Sequence, residues 1–360
     1  MAAAEPLHHD VDCVHLRSLS PAGDNACSRI STGEREDISA VSSHLSSIAL
    51  STCTQPRAVR MPRVALGTFR LAEVDAQNAV RRAVAHGVTH IDTATVYRNE
   101  QDVSIGLQDA GAAGAACFVT SKVSPRELGR DKTIAALEAM QSRFGESRSV
   151  DCVLLHWPAA AKVKSGHAAL RAASWRVLED AFFEGKLAAI GVSNFEERHI
   201  DALVRDGARV MPMVNQIELH PLLAQKSLRA YCRDKGIAVS AYSPFGTGAL
   251  LQDERICAAA SRCGNSVSAA QMLVLWSLMR CDCVVAKASS DAHVAELAAA
   301  WTMYQQHMAR KSRSNNYSDG GDLGENDDED AMLLPHDVIA SLDAMDEGKH
   351  FCWDPARVEE

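Results

Sequence analysis

Four residues whose side chains can move a proton accompany three consecutive apolar segments of the chain. Asp92 lies in the segment THIDTA, and Tyr97 follows it closely. Lys122 lies near the end of CFVTSKV, and His156 near the end of DCVLLHW. If these segments are neighbouring parallel strands of a barrel, their carboxyl ends meet at one rim. A carboxylate, a phenol, an ammonium and an imidazole would then lie together, which predicts proton transfer to a bound substrate.

The chemistry of this set depends on the pKa of the phenol, which is ordinarily about 10. A phenol is therefore a poor acid or base at neutral pH unless its neighbours stabilise the phenolate. Lys122 would supply a cation, Asp92 would hold that lysine in an ion pair, and His156 would donate a hydrogen bond to the substrate oxygen. Taken singly, Asp92 and Lys122 would more often form a structural ion pair, Tyr97 a rim aromatic and His156 a satisfied histidine. Their joint placement favours catalysis.

Eight apolar segments must position these residues. Each is bounded by Gly, Pro or polar residues and is rich in Val, Ile or Leu, as strands covered on both faces are. The segments are VALGTF, THIDTA, CFVTSKV, DCVLLHW, AAIGVSN, PMVNQIEL, AVSAYSPF and CVVAKA, which begin at Val64, Thr89, Cys117, Asp151, Ala188, Pro212, Ala238 and Cys283. We therefore expect eight buried strands.

Seven segments of helical length separate the strands, among them residues 75–86, 132–144, 168–183 and 268–280. Their apolar residues recur at three-to-four spacing. The alternation predicts an α/β protein built as a single (β/α)8 barrel of the TIM type. A doubly wound open sheet is disfavoured because no G-x-G-x-x-G follows the first strand. Residues 47–62, before that strand, are expected to form an N-terminal hairpin that closes the bottom of the barrel.

Two polar tracts flank or interrupt this pattern. Residues 1–46 are rich in Ser, Asp, His and Ala without a sustained period, which predicts a disordered extension. The barrel then spans residues 47–360, with an acidic low-complexity insertion at 311–330. The insertion is expected to be solvated, with regulatory binding as the alternative.

The composition excludes several classes of partner. A net charge of -9 and a pI near 5.9 argue against a nucleic-acid or anionic-membrane surface. No run reaches the roughly 18 apolar residues of a membrane span, and the N-terminus lacks an apolar signal core, so a cytoplasmic protein is expected. Several of the 11 cysteines lie in strand-like runs, which suits a reducing compartment. Cys281 and Cys283 have no partner pair at zinc spacing, so no metal is expected. The oligomeric state stays open, and a monomer is compatible with the sequence.

Seven motifs occur in one order: GTF, IDTAxxYxNE, the lysine that ends the third strand, LLHWP, GKLxxIGVSNF, NQIELHP and AYSPFG. Together they resemble the aldo-keto reductases over about residues 47–310 and again in the segment that ends FCWDP. The resemblance implies an NAD(P)-dependent enzyme, of the alcohol:NADP+ oxidoreductase type, that reduces small aldehydes or ketones. It also matches Asp92, Tyr97, Lys122 and His156 to the family's catalytic residues, with Tyr97 as the acid in reduction.

The same resemblance implies a nicotinamide site. Ser193, Asn194 and Gln216 match groups that bind the carboxamide, and Tyr242 matches the aromatic that stacks on the ring. The remaining expected cofactor residues are Gly67, Thr68, Asp92, Ser243, Phe245, Thr247, Lys287, Ser290 and Glu296, of which Ser243, Phe245 and Thr247 stand where the family wraps the pyrophosphate. Without the resemblance, Asn194 would be interpreted as a turn residue and Tyr242 as core.

The segment that begins at Ala286 departs from the family pattern. Ala286, Ala288, His293 and Leu297 stand where the family usually carries Pro, Ser, Arg and Asn. An Arg presents a planar charged fork to phosphate and a neutral His does not, so the grip on a 2′-phosphate is open to question. Lys287 still favours NADP(H), with NAD(H) as the alternative.

The substrate pocket is expected to be lined by Phe69, Tyr97, His156 and Trp157. Phe69 stands where many family members carry Trp, so the pocket could be wider. The competing hypothesis is a non-catalytic cofactor-sensing or scaffolding subunit with the same barrel, which the altered cofactor segment and the two polar tracts would suit. The presence of all four proton-transfer groups favours the enzyme. A barrel hydrolase is disfavoured because no metal-ligand cluster or activated nucleophile stands at the strand ends.

Overall fold

In a computed structural model, the chain is described over residues 12–20, 59–145, 148–264, 267–317 and 333–358. These residues contain ten strands. They are β1 (Cys13–Leu16), β2 (Val59–Pro62), β3 (Val64–Gly67), β4 (His90–Asp92), β5 (Phe118–Val123), β6 (Cys152–Leu155), β7 (Ala189–Ser193), β8 (Val214–Glu218), β9 (Ala238–Tyr242) and β10 (Cys283–Ala286).

Strands β3 to β10 form a closed barrel in chain order, and β10 pairs with β3 to complete it. Every pair in the barrel is parallel. Each of the eight segments expected to be strands contains one of these strands. The predicted (β/α)8 barrel is therefore confirmed.

The helices surround the barrel. They are α1 (Glu73–Ala85), α2 (Glu100–Asp109), α3 (Gly111–Ala115), α4 (Arg130–Phe144), α5 (His167–Phe183), α6 (Glu197–Arg205), α7 (Lys226–Asp234), α8 (Glu254–Arg262), α9 (Ala269–Leu278), α10 (Asp291–Tyr317) and α11 (His336–Asp343). Two of the seven expected helical connections are divided in two. Gly111, with φ of 61°, separates α2 from α3, and a capping box at Ser268 begins α9 after α8 has ended.

The strands alternate between two apolar environments, because successive side chains point to opposite faces. In β6, Val153 and Leu155 pack in the layer between sheet and helices. Cys152 and Leu154 belong to a second cluster with Phe118 of β5 inside the barrel. The same inward parity continues upward through Thr120 to Lys122 in β5 and through Leu154 to His156 after β6. The inward rows are thus apolar at the bottom and polar at the carboxyl end.

An N-terminal hairpin packs at the bottom of the barrel, but its first strand is not where the sequence suggested. Strand β1 pairs antiparallel with β2, and Leu16 lies opposite Val59. Leu16 and Met61 are buried in the cluster that fills the barrel interior. Residues 47–62 were expected to supply both strands, yet β1 lies within residues 1–46, which were expected to be disordered. No regular spacing of apolar residues around β1 predicts a strand there. Contact of Leu16 with the barrel interior explains why this segment is ordered.

The two polar tracts fall largely outside the described residues. Residues 1–11, 21–58 and 318–332 are not described. Helix α10 continues to Tyr317, so the first part of the expected insertion at 311–330 is helical. Within the described ranges, no helix has both the length and the apolar character that a membrane crossing needs.

Candidate active site

A buried ion pair lies at the carboxyl end of the barrel. The Nζ of Lys122 is 2.6 Å from Oδ1 of Asp92 and donates a second hydrogen bond, of 2.9 Å, to the carbonyl oxygen of Thr93. The other carboxylate oxygen of Asp92 accepts a hydrogen bond of 2.8 Å from Nε2 of Gln216. The Lys122 side chain is 0% exposed and that of Asp92 is 3% exposed. The pair is thus held rigidly by β4, β5 and β8.

Tyr97 lies beside this pair on a 3-10 turn, Thr95–Tyr97, that follows β4. Nζ of Lys122 is 5.2 Å from the centroid of the Tyr97 ring. Burial raises the pKa of the Tyr97 phenol above 10.0, and the charge of Lys122 acts in the opposite direction. Burial by itself lowers the pKa of Lys122, but Asp92 and Tyr97 together outweigh it and the pKa is raised overall. The lysine is therefore a permanent cation under the phenol.

His156 completes the group. Its ring centroid is 5.6 Å from that of Tyr97, with the two rings nearly perpendicular. Burial, helped by the charge of Lys122, lowers the pKa of His156 to about 3, so the imidazole is neutral at physiological pH. Among the described residues, Nδ1 of His156 has no hydrogen-bond partner although it is buried. The structure brings Asp92, Tyr97, Lys122 and His156 together, as the sequence predicted.

Asn99 braces the loops around these residues. Its Nδ2 donates to the carbonyl oxygens of Thr68 and Leu71, at 2.8 and 2.7 Å, and its Oδ1 accepts from Oγ1 of Thr93 at 2.8 Å. Oγ1 of Thr68 in turn donates to the carbonyl oxygen of Asp92 at 2.9 Å. The sequence reasoning gave Asn99 no role of its own, although it stands in the motif IDTAxxYxNE.

The residues expected to bind a carboxamide form one network. Asn194, with φ of 62°, donates from Nδ2 to the carbonyl oxygen of His156 and to Oγ of Ser193, both at 3.0 Å. Its Oδ1 accepts a hydrogen bond of 2.7 Å from the Tyr242 hydroxyl. Oγ of Ser193 donates to the carbonyl oxygen of Gln216 at 2.9 Å. These side chains therefore meet at the same mouth as Tyr97.

A tight turn follows β9 where the pyrophosphate residues were expected. Positive φ angles occur at Ser243 (51°), Gly246 (51°), Thr247 (57°) and Gly248 (98°). A Cβ on Gly246 would lie 2.6 Å from a ring carbon of Phe351, so only glycine fits there. Turns of this kind gather backbone N–H groups into a concavity that favours anions.

The expected adenosine side of the site is less closely assembled. Nζ of Lys287 lies 3.5 Å from the carbonyl oxygen of Arg70, and burial, together with the charge of Arg70, lowers the pKa of this lysine. Oγ of Ser290 accepts a hydrogen bond of 3.2 Å from the backbone N–H of His293 at the start of α10. The Glu296 carboxylate accepts a hydrogen bond from Ser268. Lys287 thus lies beside the loop after β3, Ser290 is engaged with the start of α10, and Glu296 is engaged with α9.

Aromatic side chains line the opening. Phe69 is 50% exposed and lies 5.1 Å, centroid to centroid, from Tyr97. Trp157 packs edge to face against Trp353 at 6.0 Å, and Trp353 is 76% exposed. Trp353 belongs to the segment FCWDP, whose sequence indicated only a family resemblance. The sequence reasoning therefore missed Trp353 as a residue of this opening.

The buried carboxylate of Glu218 fastens this C-terminal segment to the barrel. Its Oε1 accepts the backbone N–H groups of Phe351, at 2.9 Å, and Cys352, at 3.2 Å, and lies 3.2 Å from Nε2 of His220. Burial raises the pKa of Glu218, but these hydrogen bonds outweigh it and the pKa is lowered overall. Because Glu218 and Phe351 are far apart in the chain, no sequence pattern showed this contact.

The cysteines agree with the expectation of buried thiols. Cys117, Cys152, Cys281 and Cys283 are buried and unpaired by disulfides. In the part of the chain that the structure describes, no cluster of three or more His, Cys, Asp or Glu side chains could hold a metal ion.

Comparisons with known proteins point to one family. The sequence profile of the Aldo/keto reductase family matches residues 63–314. Glyoxal reductase of Bacillus subtilis is 38% identical over 239 residues, which is 66% of this chain and 82% of that protein. Aldehyde reductase YPR1 of Saccharomyces cerevisiae is 34% identical over 250 residues, covering 63% of this chain and 78% of the yeast protein.

The chain is also similar to solved structures. An aldo-keto reductase from a Medee basin deep-sea metagenome library has a TM-score of 0.67 and 27% identity, covering 84% of this chain and 97% of that one. A mutant of Gox0644 in complex with NADPH has a TM-score of 0.68 and 27% identity, covering 84% of this chain and 96% of its own.

Proposed function

The chain belongs to the aldo/keto reductase family, and from this premise we propose that it reduces aldehydes or ketones to alcohols with a nicotinamide cofactor. One observation carries the proposal. The buried pair of Asp92 and Lys122 lies directly beside the Tyr97 phenol, at an open mouth lined by His156 and aromatic rings. A buried charge pair is costly to maintain, and here it acts on a group that can donate a proton.

In the proposed reaction Tyr97 is the general acid. The phenol gives its proton to the carbonyl oxygen, and the resulting phenolate is stabilised by the ammonium of Lys122. Asp92 keeps this ammonium in place and charged. The neutral His156 donates one hydrogen bond to the same carbonyl oxygen and orients it toward Tyr97. Phe69 and Trp157 hold the apolar body of the substrate.

The residues at the mouth fit a nicotinamide cofactor. Ser193, Asn194 and Gln216 offer both donors and acceptors, as a carboxamide requires, and Tyr242 offers a ring beside them. The turn that includes Ser243, Phe245 and Thr247 suits a pyrophosphate, and Gly67 and Thr68 lie at the end of β3, with β10 between that strand and β9. When bound, the reduced cofactor supplies the hydride for the reaction.

We infer a preference for NADP(H) over NAD(H). Lys287 and Ser290 follow β10 at the carboxyl end of the barrel and would meet a 2′-phosphate there. The NADPH complex of the similar Gox0644 structure supports this choice. We expect this preference for NADP(H) to be smaller than an Arg fork would give. The reasons are that His293 stands where the family usually carries Arg, and that Glu296 is bonded to Ser268.

The test is single-residue replacement of the acid. Tyr97→Phe should lower the turnover of an activated aromatic aldehyde at least about 100-fold, while the quenching of tryptophan fluorescence by NADPH is retained. Tyr231→Phe is the matched control, because this hydroxyl bonds Asp201 on the outer surface. Cofactor binding without turnover in the unaltered protein, on a broad carbonyl panel, would instead support a cofactor-sensing subunit.

A further inference from the structure

Exposed cations are concentrated on one side of the mouth. The loop after β4 carries Arg98, the loop after β5 carries Arg126, and the loop after β6 carries Lys162 and Lys164. All four side chains are exposed. This is unexpected in a chain with a formal net charge of -9, where an average surface region should carry more acids than bases.

The three loops form one continuous edge because hydrogen bonds join them. Oγ1 of Thr95 donates to the Glu127 carboxylate at 2.6 Å, which ties the loop after β4 to the loop after β5. The backbone N–H of Ala161 donates to the carbonyl oxygen of Pro125 at 2.8 Å, which ties the loop after β5 to the loop after β6. Arg98 follows Tyr97 directly in the chain. We call Arg98, Arg126, Lys162 and Lys164 the basic edge.

The basic edge is not neutralised from within. Glu127, the acid in these three loops, is half-buried and accepts hydrogen bonds from Thr95 and from the backbone N–H of Ser124. None of the described carboxylates lies within ion-pair distance of Arg98, Arg126 or Lys162.

The acids of two other loops at this end are paired with cations of their own. Glu196, after β7, pairs with Arg198. Asp253, after β9, pairs with Arg255. The positive charge of the basic edge therefore remains available to attract a negatively charged molecule. Apolar surfaces flank the proton donor, Val96 with 49% exposure and the Phe69 ring.

We propose that the substrates are carbonyl compounds that carry a negative charge on the far side of an apolar body, with the anionic group at the basic edge and the carbonyl at Tyr97. This inference rests on the proposed reductase function and specifies its substrate class. The cations act mainly by raising the local concentration of the anion and fixing its direction, since exposed charges are screened by salt.

A pair of substrates matched except for charge tests the proposal. The kcat/KM for 4-carboxybenzaldehyde should exceed that for its neutral methyl ester by about tenfold, within the range that electrostatic steering gives. Raising NaCl from about 0.05 M to about 0.5 M should remove most of this ratio, because the screening length shortens.

The triple variant R98Q, R126Q and K162Q should bring the ratio of the two kcat/KM values close to one. R205Q, an exposed cation at the end of α6 and away from the mouth, should keep the ratio of the unaltered protein. The salt dependence of the unaltered protein decides the question independently if the triple variant does not fold.

Failure of the two proposals can be told apart. Equal turnover of the acid and the ester overturns the basic-edge inference and leaves the reductase function standing. If neither compound is reduced, binding of 4-carboxybenzyl alcohol and its methyl ester is compared by tryptophan fluorescence. If the acid binds more tightly than the ester and the triple variant loses this difference, the anion site is supported even though no reduction occurs. Equal binding of the two compounds overturns it.

Discussion

At the scale of single residues, the site depends on a few buried polar groups that share partners. Asp92 binds Lys122 with one oxygen and Gln216 with the other, so neither oxygen is left without a donor. Lys122 lies below the Tyr97 ring and is shielded from water. In this dry setting each charge has a stronger effect on its neighbour than it would at the surface.

The raised pKa of Tyr97 sets the pH dependence of reduction. The proton donor is the neutral phenol, which burial preserves above the ordinary value of 10.0. We expect kcat/KM for carbonyl reduction to stay level from about pH 6 to about pH 9, since the phenol keeps its proton there. Lys122→Met should move the alkaline fall to still higher pH, because the cation that lowers this pKa is gone. A fall centred near neutral pH would contradict Tyr97 as the donor.

Removal of Lys122 should also destabilise the fold. Lys122→Met leaves the Asp92 carboxylate buried without its counter-ion, which costs about 3–5 kcal/mol of the free energy of unfolding. The double variant with Asp92→Asn removes the unpaired charge and should recover much of this loss. Urea unfolding checks both variants. Equal stability of the single and double variants would show that the pair is not coupled.

At the scale of elements, the strands carry most of the polar side chains of the site and the loops form its opening. Inward positions of β4, β5 and β8 provide Asp92, Lys122 and Gln216, while Tyr97 comes from the turn after β4. The two ends of the barrel are covered by segments that lie far from each other in the chain. The β1–β2 hairpin covers the bottom, and the C-terminal segment fastened by Glu218 lies at the mouth.

The hairpin prediction concerns Leu16, which is 1% exposed at the bottom of the barrel. Leu16→Ala should lower the free energy of unfolding by about 2–5 kcal/mol, the usual cost of truncating a buried leucine. Arg17→Ala, next to it on the exposed side, should change it by less than about 0.5 kcal/mol. Thermal unfolding distinguishes the two. Similar values for both variants would show that the first strand adds nothing to the barrel.

At the scale of the whole molecule, polarity is divided between the two ends of one barrel. Apolar side chains fill most of the bottom, and Asp92, Tyr97, Lys122 and His156 are gathered at the carboxyl end. Charge is divided as well, since an acidic protein of net charge -9 presents a basic edge beside its mouth. The fold also buries neutral histidines, one on β4 and one on α6. Burial lowers the pKa of His90 to about 4 and, with the charges of Arg171 and Arg198, that of His199 to about 3.

These histidines make the fold sensitive to acid. Below the ordinary pKa of 6.5 the unfolded chain binds protons that the folded chain excludes, so stability falls as the pH drops toward the folded values. Between about pH 7 and about pH 5, His90 and His199 should each cost roughly 2 kcal/mol of the free energy of unfolding. Urea unfolding at both pH values measures the loss. His90→Gln should remove one histidine's share of the pH slope, and an unchanged slope would contradict this account.

Much of the fold and of the central site could be predicted from the sequence. The eight apolar segments lie close to the observed strands, because a strand buried on both faces must be apolar along its own length. Asp92, Lys122 and His156 were predicted to lie together because residues at the carboxyl ends of parallel strands share one rim. Both arguments use only the order of residues within a segment or the order of segments along the chain.

Other features were decided only by the tertiary structure. Strand β1 is only four residues long and is ordered by the barrel against which Leu16 packs. Glu218 meets Phe351, and Trp157 meets Trp353, only after the closed barrel has brought the C-terminal segment across its mouth. The basic edge likewise arises when hydrogen bonds align three loops. Local sequence patterns show which faces of strands and helices are apolar, whereas contacts between distant segments depend on how the whole barrel closes.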